Sequence, residues 1–157
     1  MEIRYRVEPK DFDRQFSKRL EGLNRELSNF EELFFRIATY LEEKAEESFE
    51  LEGRGDKWPP TKSGGKILQK SGRLKDSFRL GSADNIFEID GNQMRYGSKV
   101  PYGKYHQSKE PRETKEGGGP RLPRRAILEY LDEDKTNLQG ILSTWAMEQK
   151  RKAMEED

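Results

Sequence analysis

His106 is the sole histidine in a chain of 157 residues that contains no cysteine. Acid–base work by an imidazole needs a carboxylate to orient it and a nucleophile within hydrogen-bond reach. Its neighbours Tyr105 and Gln107 supply no carboxylate, and no G-x-S-x-G nucleophile elbow occurs. One histidine and no thiol allow neither a two-histidine nor a thiolate metal site. The acidic pairs Glu42-Glu43 and Glu46-Glu47 read as a solvated helix face. Gly64-Gly65-Lys66 stops short of a phosphate loop, because Ile67 follows the lysine and no strand precedes it. No residue is a candidate for catalysis, cofactor binding or metal ligation. The chain reads as a non-enzyme.

The cations offer a different chemistry. Lys57, Lys62, Lys66, Lys70, Arg73 and Lys75 cluster near Trp58, and Arg121, Arg124 and Arg125 can join them. Cations interleaved with an aromatic ring can follow a nucleic-acid backbone. Yet 30 basic residues balance 30 acidic ones, and no recognition helix or stacking sheet is legible. A weak contact with a nucleic-acid backbone fits better than sequence-specific binding. The charge is also segregated. Residues 57–125 hold 16 basic against 7 acidic side chains, whereas residues 30–56 hold 3 against 9 and residues 126–157 hold 4 against 8. Such blocks can steer head-to-tail association between copies.

These residues must be positioned by a thin core. Apolar residues make up 31% and charged ones 38% of the chain, against about 45–50% and about 25% in ordinary domains. The length suits one domain, residues 1–157, that carries flexible segments or completes its core against neighbours. No apolar run reaches the length of a membrane span, and no signal-peptide core stands at the N-terminus. A protein made in a reducing cytosol is expected.

Along the chain, Ile3, Tyr5 and Val7 alternate with Arg4 and Arg6, which predicts a short strand ended by Pro9. Phe12, Phe16, Leu20, Leu23 and Leu27 recur at helical spacing, with Asp11 or Asp13 as caps and Gly22 interrupting. The strongest helix spans about 29–49. Phe30, Leu33, Phe34, Ile37, Ala38, Leu41, Ala45 and Phe49 share one face, and Ser28 with Glu31 forms a capping box. Glycines and prolines between residues 52 and 70 predict a long mobile loop, pinned by Trp58 to the core or to a neighbour. Ser71 can cap a helical turn reaching Ser77.

A hairpin follows over about 86–97. With Gly91-Asn92 as its loop, Asp90 pairs with Gln93, Ile89 with Met94, Glu88 with Arg95 and Phe87 with Tyr96. Apolar then faces apolar, and opposite charges meet in water. Phe78 and Leu80 are expected to add an adjoining strand. Residues 106–122 read as a second mobile loop. Asp132 can cap a last helix over about 133–152, with Leu138, Ile141, Leu142 and Trp145 on one face. Lys150, Arg151 and Lys152 suit its negative end, and the acidic residues 155–157 are expected to fray. The predicted class is α+β: a small, mainly antiparallel sheet packed by the long helix and the C-terminal one.

Three islands occur in a fixed order between Phe49 and Arg125. They are Trp58-Pro59-Pro60-Thr61 with Lys66 beyond, then Leu68 with Ser71, Gly72, Leu74 and Ser77, then Gly97, Ser98, Pro101, Tyr102, His106 and Gln107. Their joint order, from Phe30 to Leu142, resembles the phage virion morphogenesis family, the tail completion proteins of long-tailed bacteriophages. Departures stand out at the position after the PY tyrosine, where the usual small residue is Gly103, and in the segment after Gln107, which is longer and more charged than the family's. An R-x-F-L ending also becomes Arg125-Ala126-Ile127-Leu128.

The resemblance implies a non-catalytic part of a virus particle, assembled in the bacterial host cytoplasm and resident in the virion. It implies tail completion or head–tail joining as an oligomeric ring, with other copies and other tail or neck proteins as partners, a weak contact with DNA threading the ring, and no membrane. Trp58 and the Ser71–Ser77 island are read as architecture. Lys62, Lys66, Lys70, Arg121 and Arg124 are the expected assembly contacts, the acidic face of one copy meeting the basic loop of the next. The alternative is a DNA-associated protein using the basic loop 57–75.

Overall fold

The structure, a computed structural model, describes residues 2–6, 30–108 and 123–155. Its elements are β1 (Glu2–Arg6), α1 (Glu31–Leu51), α2 (Arg73–Asp76), β2 (Asn85–Asp90), β3 (Gln93–Ser98), α3 (Gly103–Gln107) and α4 (Asp132–Glu155). Helix α1 forms because its apolar residues return every three or four positions. It buries Leu33, Phe34, Ile37, Ala38, Leu41, Ala45 and Phe49 and leaves Glu43, Glu46 and Glu50 in water. Burying a phenylalanine such as Phe34 or Phe49 contributes about 1.5–3 kcal/mol. The helix ends where Glu52 turns left-handed (φ 51°) and the Gly53 N–H returns to the Ser48 carbonyl at 2.9 Å.

β2 and β3 form the hairpin in the anticipated register, Asp90 opposite Gln93 and Phe87 opposite Tyr96. The loop is Gly91-Asn92, and Gly91 takes the left-handed backbone (φ 56°) that the first central position of such a turn favours. β1 pairs antiparallel with the other edge of β3, Glu2 opposite Gly97 and Arg6 opposite Gln93. The sheet is α+β in context, three strands in the order β1-β3-β2.

Helix α4 lies antiparallel along α1. Lys152 reaches Glu32 at 3.7 Å, Arg36 reaches Glu148 at 2.6 Å, and the Asn137 amide donates to the Tyr40 hydroxyl at 3.1 Å. Leu142 and Trp145 are buried between the helices, the Trp145 ring 5.5 Å from that of Phe30.

Several expectations are corrected. Phe78 and Leu80 supply no strand. Backbone N–H groups there close local turns, Phe78 to Lys75, Arg79 to Asp76 and Ser82 to Arg79, and β1 occupies the free edge of β3. His106 and Gln107 belong to α3, so a helix stands where the second loop was expected to begin, and residues 109–122 lie outside the described residues. The N-cap of α1 is Phe30 without a side-chain cap, while Ser28 lies outside the described residues. Asp132 is the first residue of α4, and the cap is made by Asp134, whose carboxylate accepts the Leu131 N–H at 2.8 Å. α4 also runs on through Glu155. The N-terminal pattern from Phe12 to Leu27 lies outside the described residues.

Candidate functional site

The loop after α1 is irregular, and three contacts hold its base. The Trp58 ring meets Phe49 edge-on at 5.5 Å, and its indole N–H donates to the Ala126 carbonyl at 3.0 Å. Trp58 is therefore pinned to this chain's own core. The Arg125 guanidinium donates to the Pro59 and Pro60 carbonyls at 2.9 and 3.2 Å. Arg125 is buried, and that burial lowers its pKa. It is structural and does not join the surface cations.

Arg54 makes the third contact. Its buried side chain reaches the Asp134 carboxylate at 2.8 Å, Glu133 at 2.6 Å and Glu47 at 3.3 Å. Burial pulls the Asp134 pKa up, but hydrogen bonds from Arg54, Tyr40 and Leu131 hold it below the usual carboxylate range. The Tyr40 hydroxyl, pushed up to about 12 by burial and by Asp134, donates to that carboxylate. The cavity beside this cluster measures about 10 Å³, which is room for one water and no ligand. Sequence reading missed Arg54 and Asp134. A lone arginine between two glycines was the available signal, and it named no partner.

The second and third islands lock onto one another. Leu74 of α2 packs on Gly103 of α3, where an added Cβ would stand 3.0 Å from Leu74 Cδ1. The Ser77 and Ser98 hydroxyls share a hydrogen bond at 2.6 Å, and Ser77 also donates to the Leu74 carbonyl at 2.6 Å. The Asn85 amide donates to the Ser77 and Gly97 carbonyls at 3.0 and 3.1 Å. All three polar side chains are buried, so each hydrogen bond removes a desolvation penalty of about 1–3 kcal/mol. Leu68 is left-handed (φ 59°) and packs against the core, while the Ser71 hydroxyl stands 3.4 Å from the Arg73 N–H. Gly72 holds the cap position of α2. Pro101 and Tyr102 are exposed, and the turn they occupy closes through the Gly103 N–H and the Val100 carbonyl.

Gln107 ties the third island to the segment around Ile127 and Leu128. Its side-chain oxygen accepts the Ile127 and Leu128 N–H groups at 2.9 and 3.1 Å, and its nitrogen donates to the Leu128 carbonyl. One side chain thus does the work of a strand partner. His106 beside it is buried, with its carbonyl accepting the Arg125 N–H at 2.8 Å. Burial and then the Arg125 charge lower its pKa.

The basic residues divide into two groups. Arg73 pairs with Asp84 at 2.7 Å, Lys75 with Glu46 at 3.5 Å and Arg124 with Glu129 at 3.6 Å. Lys62, Lys66 and Lys70 are exposed, and none is paired with a carboxylate among the described residues. Arg121 lies outside the described residues. Among those residues no three acids or histidines converge as a metal site, and no helix is long and apolar enough to cross a membrane.

Comparison with curated proteins and with solved structures finds no match. The phage virion morphogenesis family model, by contrast, matches residues 11–146, a span that takes in all three islands and reaches further than the motifs alone. The chain belongs to the phage virion morphogenesis family.

Proposed function

We propose that this chain is a non-catalytic structural subunit that acts in tail completion or head–tail joining as part of an oligomeric ring. The family gives it a structural or assembly role in a phage particle, alongside other virion proteins. One observation carries the finer reading: the islands pack as internal clamps, and the surface they support is a basic loop whose lysines meet no carboxylate among the described residues. A clamp of buried serines, an asparagine and a glutamine spends its polar groups on holding loops. None is left poised over a cleft for a substrate. Lys62, Lys66 and Lys70, with Arg121 and Arg124, are the assembly contacts, meeting an acidic surface on a neighbouring tail or neck protein. The subunit is assembled in the host cytoplasm, and any contact with threading DNA is weak and backbone-directed.

Electron microscopy of particles made with this reading frame disrupted tests the proposal, beside a complemented control. Filled heads with separate or over-long tails are the expected products. Normal joined virions would overturn it.

A further inference from the structure

The apolar face of the sheet is covered unevenly. On β3, Met94 and Tyr96 are buried almost completely. On the same face of β2, Phe87 is only half-buried and Ile89 is 36% exposed. Phe35 of α1 stands beside them, 56% exposed, with its ring 6.4 Å from that of Phe87. Acidic residues border this apolar flank. Glu31 and Glu42 fall on the same side of α1 as Phe35, and Asp90 ends β2.

The other flank of the molecule has the opposite character. Arg36 and Tyr40, which meet α4, lie about 100–140° around α1 from Phe35, so α4 borders the far side of that helix. Leu142 and Trp145 face inward from α4, which leaves Met147 (65% exposed) and Met154 (70% exposed) on its outer face. Exposed Lys150 stands between them. Methionine is an adaptable apolar contact residue, and two of them seven positions apart make a ridge two helical turns long.

We propose that the Met147–Lys150–Met154 ridge of one copy docks on the Phe35–Phe87–Ile89 flank of the next. This rests on the ring reading above and names its subunit contact. The two patches differ, lie on opposite flanks and match in polarity and charge, basic apolar against acidic apolar. Such a contact is heterologous, the type that repeats until a ring closes. The incoming helix also covers the outer edge of β2, which has no strand neighbour among the described residues. The lysine loop then remains for a different virion component.

Light scattering of the full chain during gel filtration tests the contact. Phe35→Glu spoils one patch and Met147→Glu the other, so each variant alone is expected to fall to the 18.4 kDa monomer. Mixed one to one, they retain a single intact pair of patches and should form a dimer of twice that mass and nothing larger. The mixture also answers misfolding, since an unfolded variant could not restore the dimer. If the wild type is an oligomer and either variant keeps its mass, or the mixture stays monomeric, this contact is overturned while the ring reading stands. A monomeric wild type overturns both.

Discussion

The indole N–H of Trp58 donates to the carbonyl of Ala126 at 3.0 Å, across 68 positions of chain. That bond, with those from Arg125 to Pro59 and Pro60, joins the glycine-rich loop after α1 to the segment that leads into α4. Replacing Trp58 with phenylalanine keeps most of the edge-on packing on Phe49 but leaves the Ala126 carbonyl without this donor. A loss of about 1–3 kcal/mol is expected, against about 3–5 kcal/mol for Trp58→Ala, which also opens a cavity. Urea unfolding of the two variants separates the terms. Equal losses would mean that the ring contributes little beyond its hydrogen bond.

Gln107 works by the same logic. Three hydrogen bonds run from one amide to the Ile127 and Leu128 backbone. Gln107→Glu keeps the acceptor but sets a carboxylate oxygen against the Leu128 carbonyl. Gln107→Ala removes the whole clasp. Both should cost about 1–3 kcal/mol, and hydrogen exchange should rise at the Ile127 and Leu128 amides before it rises on α1. Unchanged protection at those two amides would refute the clasp.

How much of this was legible depends on whether a contact repeats. The hairpin register could be read because Phe87, Ile89, Met94 and Tyr96 alternate around Gly91-Asn92, and a one-residue slip would expose all four. The buried face of α1 was legible for the same reason at a period of 3.6. Alternation at Ile3 and Tyr5 announced a strand, yet nothing local said that it would pair with residues 93–97 in place of a segment around Phe78. The clamps were harder still. Trp58 with Ala126, Arg125 with Pro59, and Arg54 with Asp134 each join two irregular segments through one pair of groups, so no period marks them. Motif order located the islands. It gave no hint that Arg125 would be buried and spent on two carbonyls.

His106 gives the fold a pH dependence of known sign. Burial and the nearby Arg125 charge depress its folded pKa below the unfolded value of about 6.5. The unfolded chain therefore binds more protons in that window. Stability is complete above pH about 6.5 and is lost as the pH falls through the folded value, by at most about 1.4 kcal/mol per pH unit. Because no other histidine exists, the window between pH 5 and 7, roughly, belongs to this side chain. Denaturation profiles of the wild type and His106→Gln should converge on acidification. Parallel profiles would show that His106 titrates alike in both states.

Lys62 and Lys66 are exposed and unpaired among the described residues, so reversing them to glutamate should leave folding within about 0.5 kcal/mol of the wild type. Assembly should fail nonetheless, because the loop would then repel an acidic partner surface at close range. The same double variant tests the DNA alternative. A protein held to nucleic acid by these lysines binds with an affinity that falls steeply as salt rises, roughly in proportion to the phosphates contacted. Removing two contacts should flatten that slope by about two units. Lost assembly with no measurable DNA binding in the wild type supports the protein contact. Intact assembly in the double variant would remove these lysines from the interface, and a steep, lysine-dependent salt slope would make DNA their partner.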